Sequence, residues 1–188
     1  MAFGVVLDAC VLIPAALRDV LLRAAAAGLF RVHWSDDLLD EMQRNLVRNG
    51  MTTPTGAVSL RQAMEENFEG AAVPSQQYRP LIPAMTNNSK DRHVLAAAVA
   101  SGSQVIVTSN LRDFPVEALD PHEVEVQSPD EFLLHLFDLA PERMLQIVKD
   151  QAAALRRPPM PFELVVEHLK LQAPKFAEVI QRAYQGRA

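Results

Sequence analysis

The chain has 188 residues, about half of them hydrophobic, a net charge of −5 and a single cysteine, Cys10. That suits one domain with an appendage or one large domain; it excludes an internal disulfide and predicts a reducing, cytoplasmic setting. Global acidity argues against a protein that coats nucleic acid through bulk charge, yet leaves room for an acidic pocket that holds a cation. The N-terminus lacks a basic segment, and Asp8 interrupts its apolar run, so no signal peptide is expected. No uncharged apolar run approaches the ~20 residues of a membrane span, so no membrane partner is expected. Residues 1–128 carry 15 acidic and 10 basic side chains, whereas 129–188 carry eight of each, so the acidic excess lies in the first part.

"FGVVLD" (Phe3–Asp8) reads as a buried strand ending in a carboxylate. Pro14 opens a helix that runs to Gly28, and "LFRVHW" (Leu29–Trp34) is a second strand. Ser35 caps the helix "DDLLDEMQRNLVRNG", with Gly50 beyond its end. A helix is expected within residues 51–70, with "AVSLRQAMEENFEG" as its body, followed by loops and a short strand across 71–88. Ser89 then caps an apolar helix, "KDRHVLAAAVASG", with Asp91 in its first turn. "QVIVTS" (Gln104–Ser109) and "VEVQS" (Val124–Ser128) are further strands. Strands alternating with helices predict an α/β fold with a parallel sheet covered on both faces, whose ligands bind beyond the carboxyl ends of the strands. At Ser128 the pattern changes. "SPDE" has the form of a capping box, and three helical stretches follow, about 129–139, 141–157 and 161–184. The expected division is a domain over 1–128 and a helical extension over 129–188.

Four acids stand where a structural residue would serve as well. Asp8 ends the first strand, where it either faces a ligand or caps the next turn. Glu41 sits at the edge of the stripe formed by Leu38, Met42 and Leu46, either turned inward or solvated. Asp91 shares a helix face with Val94, Leu95 and Ala98, so its carboxylate lies above an apolar stripe and calls for a partner. Asp113 follows "VIVTS" in a tight turn, with Asn110 between as a neutral oxygen donor. All four fall on one edge of the expected sheet. Oxygen donors without a His or Cys cluster suit Mg²⁺ or Mn²⁺, which activate water and stabilise the charge building on a phosphoryl group. Lys90, Arg92 and Arg112 flank these acids and either contact phosphates or are simply solvated. His93 lies one position off the inward face and reads as a surface or packing residue. Cys10 has no evident His partner, and the chain has no GxGxxG, P-loop, HExxH or GxSxG motif.

On "VVLDACVLIPAALRD", "SDDLLDEMQRNL" and "SKDRHVLAAAVASGSQVIVTSNLRDFP", the chain resembles the PIN-domain ribonucleases, in particular the VapC-type toxins of prokaryotic toxin–antitoxin modules. The resemblance covers roughly residues 3–128, and the tail resembles the helical extension of one subgroup. It implies a Rossmann-like α/β/α sandwich and an acidic pocket for Mg²⁺ or Mn²⁺. It also implies hydrolytic cleavage of RNA, a cognate antitoxin and a homodimer. By position, Asp8 and Asp91 resemble the principal metal ligands, Glu41 the second acid, and Asp113 or Asn110 the fourth position. Two departures stand out. Cys10 replaces the Asn, Ser or Thr usual two residues after the first Asp, and Asn110 replaces an acid found in many relatives. Two other readings compete. One is a catalytically silent PIN-like domain that binds a protein or RNA partner. The other is a metal-dependent phosphatase of the haloacid-dehalogenase type, which needs an Asp where Cys10 stands.

Overall fold

A computed structural model describes residues 2–154 and 159–186. In chain order its elements are β1 (Gly4–Leu7), α1 (Ala9–Leu12), α2 (Ala15–Ala26), β2 (Arg31–Ser35), α3 (Asp36–Arg48), α4 (Pro54–Asn67), β3 (Ala72–Val73) and α5 (Ser75–Tyr78). After a 3₁₀ turn at Arg79–Ala84 come α6 (Arg92–Ser101), β4 (Val105–Val107), a 3₁₀ turn at Leu111–Asp113, α7 (Val116–Leu119) and β5 (Glu125–Gln127). The chain ends in α8 (Pro129–Leu139), α9 (Pro141–Ala154), α10 (Phe162–Lys170) and α11 (Pro174–Gln185). Residues 155–157, expected to end α9, lie outside the described residues.

By internal contacts the chain forms two compact units, one of Met1–Ile13 and Phe30–Gln127, the other of Pro14–Leu29 and Ser128–Ala188. The first unit is built on a five-stranded, wholly parallel sheet in the order β3-β2-β1-β4-β5. With its flanking helices this is the α/β sandwich expected from the sequence. β1 is central and buried along its whole length, which is why it reads as an unbroken apolar run rather than an alternating one. The chain builds outward from β1 through β2 to β3, then returns to lay β4 on the other side of β1, with Leu7 opposite Val107. The direction of winding therefore reverses between β1 and β4, and the crevice at such a reversal is where open α/β sheets bind ligands.

Two helices bring residues to that crevice. Ser35 caps α3 by accepting from the Leu38 N–H, and Leu38, Leu39, Met42 and Leu46 are buried along one side. α6 packs on β1, β2 and β4 through Val94, Leu95, Ala96, Ala97 and Ala98, all fully buried. Its small side chains let the helix lie close to the sheet. α6 stops at Gly102, whose φ of 63° lies in the left-handed region that a side chain would strain.

The start of α6 differs from expectation. Ser89 does not cap it; the N-cap is Asp91, and the first helical residue is Arg92. The cause lies in Asn88, whose backbone carbonyl accepts from the Asp91 N–H and whose side-chain oxygen accepts from the Lys90 N–H. These bonds close an Asx-type turn over residues that would otherwise form the helix's first turn. α4 begins at Pro54, within the stretch expected to be helical, because Thr53 caps it.

The second unit is helical. α2, placed by the sequence reading within the first domain, packs with α9 and α10. Its buried Leu17, Val20, Leu21 and Ala24 belong to the same unit as Phe132, Leu136, Leu145, Val148, Leu169 and Phe176. The capping box at Ser128 is present in full: Ser128 accepts from the Glu131 N–H, and Glu131 accepts from the Ser128 N–H. The single helix expected over 161–184 is two helices. Pro174 forces Ala173 out of helical conformation and starts α11 afresh.

Candidate active site

Asp8 follows β1 directly and is 3% exposed. Its backbone N–H bonds to the carbonyl of Val107, so it sits beside the end of β4. Its Oδ1 accepts from the Ala9 N–H at 2.7 Å, while its Oδ2 accepts from the Thr108 hydroxyl at 2.7 Å and the Cys10 thiol at 3.3 Å. These three donors are neutral, so they orient the carboxylate without cancelling its charge.

Thr108 was not singled out as a site residue by the sequence reading. It is fully buried, donates to Asp8 and accepts from the Asn110 N–H at 3.0 Å. The available signal was positional: a polar residue directly after "VIV", at the end of the strand that flanks β1. Cys10 completes a triangle with Asp8 and Thr108 and accepts from the Ser109 N–H. Burial, and then the charge of Asp8, push its thiol up to about 12, so it stays protonated and acts as a weak donor rather than a nucleophile.

Asp91 is half-buried at the head of α6, and its carboxylate makes no capping bond to the helix it begins. Its pKa is pushed up to about 6, first by burial and then by the charges of Asp8, Asp113 and Glu41, with a hydrogen-bonding contact to Asp113 adding to the effect. The four acids singled out from the sequence are thus brought within electrostatic reach of one another. Asp113 ends the 3₁₀ turn after β4, where its Oδ1 accepts from Asn88 Nδ2 at 2.7 Å. Glu41 lies at the margin, its side chain 38% exposed, with Oε2 3.7 Å from His93 Nε2. His93, set aside from the sequence as a bystander, therefore faces a member of the acidic group.

The remaining candidates are less central. The side chain of Asn110 is exposed, and only its backbone N–H is tied to Thr108. Lys90 and Arg112 are exposed beside the acids. Arg92 is half-buried, and its Nε donates to the Asn87 carbonyl, so part of its donor capacity is already used.

The donor set is oxygen throughout, which suits a hard divalent cation, and the mutual repulsion that raises the Asp91 pKa is what such a cation would relieve. Among the described residues, no three His, Cys, Asp or Glu side chains are gathered closely enough to hold an ion as they stand. The cluster is a loose acidic group rather than a rigid cage. That fits binding partly through water.

Strand order, the acids at the β1–β4 reversal and the sequence itself agree on the class. The PIN domain profile matches residues 4–112, and the chain belongs to the PIN-domain family. A second profile, described as the VapC50 C-terminal domain, matches residues 129–182. The chain is 41% identical over 107 residues to a protein named "Putative ribonuclease VapC50" from Mycobacterium tuberculosis (strain ATCC 25618 / H37Rv). That alignment covers 57% of this chain and 63% of the relative, so the chain spans less than two thirds of the relative's length. No solved structure matches the chain. Among the described residues, no helix is long and apolar enough to cross a membrane.

Proposed function

We propose that the protein is a Mg²⁺- or Mn²⁺-dependent endoribonuclease that acts as the toxin of a toxin–antitoxin pair. The observation that carries this reading is the gathering of Asp8, at the end of β1, with Asp91 and Asp113, whose turns Asn88 joins, at the β1–β4 reversal of a PIN-family sheet. Asp8 and Asp91 would hold the cation directly, with Glu41 and Asp113 completing the site partly through water. When bound, the cation supplies a water of lowered pKa and stabilises charge on the scissile phosphate. Thr108 and the Ala9 N–H fix the direction of the Asp8 carboxylate. Lys90 and Arg112, both exposed, lie where they can meet flanking phosphates of a polyanion. A cognate antitoxin and a homodimer are proposed from the resemblance of the sequence to the VapC-type toxins.

Cleavage of RNA by purified protein with Mn²⁺ or Mg²⁺, compared with Asp91→Asn, tests the reading. Wild-type cleavage that needs the metal, reduced at least ~100-fold in the variant, is the expected result, since the substitution removes a direct metal ligand. Equal activity in the two proteins would remove Asp91 from the mechanism. A second reading, a domain that binds RNA or protein without cutting, is favoured by the looseness of the acidic group. Metal-independent RNA binding with no cleavage would select it.

A further inference from the structure

Asn88 lies exposed on the turn before α6, and both of its backbone groups and both ends of its side chain are engaged. Its side-chain Nδ2 donates to Asp113 Oδ1 at 2.7 Å, and its backbone N–H donates to the Asp113 carbonyl at 3.1 Å. Its own carbonyl accepts from the Asp91 N–H at 2.9 Å, and its Oδ1 accepts from the Lys90 N–H at 3.1 Å. One residue therefore binds the turn that carries Asp91 to the turn that carries Asp113, although the two acids are 22 positions apart in the chain. Two neighbouring carboxylates repel, and the Asn88 amide grips the Asp113 carboxylate itself, beyond what the backbone bond between the two turns fixes. A neutral amide donor holds it there without cancelling the charge a cation needs; a Lys or Arg would hold it and cancel the charge. The bond uses Oδ1 and leaves Oδ2 outside it.

We infer that Asn88 is a positioning residue of the acidic site, holding the Asp113 carboxylate against Asp91 so that both face one divalent cation. The inference rests on the metal-dependent reading above. Outer-shell partners of metal-binding carboxylates commonly contribute a factor of about 10–100 to affinity.

The test is a double-mutant cycle read by calorimetric titration of Mn²⁺ into the full chain, without RNA: wild type, Asn88→Ala, Asp113→Ala and the double variant. Asn88→Ala is expected to weaken Mn²⁺ binding by about 10–100-fold. Adding it to Asp113→Ala is expected to cost nothing further, because its effect passes through Asp113. Asn88→Ser keeps an acceptor for the Lys90 N–H but is too short to reach Asp113, so it should weaken Mn²⁺ binding as the alanine does. Wild-type affinity in Asn88→Ala, a full additional loss in the double variant, or wild-type affinity in Asn88→Ser would each overturn the positioning role. Wild type that takes up no Mn²⁺ would remove the metal-dependent reading and this inference together. Binding by wild type with an additive cycle would remove the inference alone.

Discussion

At the scale of single residues, the acidic site is a problem in holding like charges together. Asp8 is held by neutral donors and Asp113 by Asn88, while Glu41 stands at the margin with Oε2 3.7 Å from His93 Nε2. Thr108→Val keeps the shape of the buried side chain but removes the hydroxyl that donates to Asp8. It should weaken Mn²⁺ binding about 10–100-fold while the fold persists, measured by titration alongside the urea midpoint. Unchanged affinity would mean that the Ala9 N–H and the Cys10 thiol suffice to orient Asp8. Asp91 sets the pH dependence. Its folded pKa of about 6 lies above the ordinary 3.8, so the folded protein takes up this proton more readily than the unfolded chain does. In metal-free protein its contribution to stability is present at low pH and is lost as pH rises towards about 6. A cation displaces the same proton, so Mn²⁺ affinity should rise over that interval and level off above it. An affinity flat between pH 5 and 7 would show that Asp91 is not a ligand.

At the scale of elements, caps and prolines decide where helices start and stop. α11 has no capping side chain of its own; Ala173 stands at its N-cap. Its free N–H groups at Lys175 and Phe176 are met instead by the carboxylate of Asp130, from the first turn of α8. Asp130→Ala should therefore cost about 1 kcal/mol of stability, a typical capping loss with charge–dipole attraction included, read from urea unfolding. A loss below ~0.3 kcal/mol would show that solvent satisfies those groups equally well. α4 is tied to α3 in a comparable way, since Arg61 bridges Asp36 and Asp40 on α3 as well as Glu65 on its own helix. α4 buries only Ala57 and Met64, so these cross-element bonds fix its place where apolar packing contributes little.

At the scale of the whole molecule, the division into units does not follow chain order. α2 contributes its apolar face to the C-terminal helices. A chain cut after residue 127 would lose α8 to α11 and leave Leu17, Val20 and Leu21 without their partners. The truncated protein should associate or precipitate, as measured by light scattering coupled to gel filtration. A soluble fragment of unchanged oligomeric state would show that α2 does not depend on those helices.

Much was legible in the sequence because it is written locally. A β-branched run buried on both faces, a Ser before an acidic first turn and a capping box at Ser128 each state their structure within a few residues. So does an acid at the end of a strand, by which Asp8 is picked out, whereas Glu41 and Asp91 are picked out by their place on a helix face and Asp113 by the turn after "VIVTS". Other features belong to pairs of residues distant in the chain, and no local pattern encodes them. The hydroxyl of Thr108 reaches Asp8 across 100 positions because β4 returns to lie beside β1. Asn88 reaches Asp113 because two loops end at the same strand edge. α2 joins the last four helices because its apolar stripe is buried with theirs. The sequence by itself determined which residues carry charge and which elements they end. The tertiary structure alone decided which of those charges meet and what holds them, since both depend on strand order and helix packing.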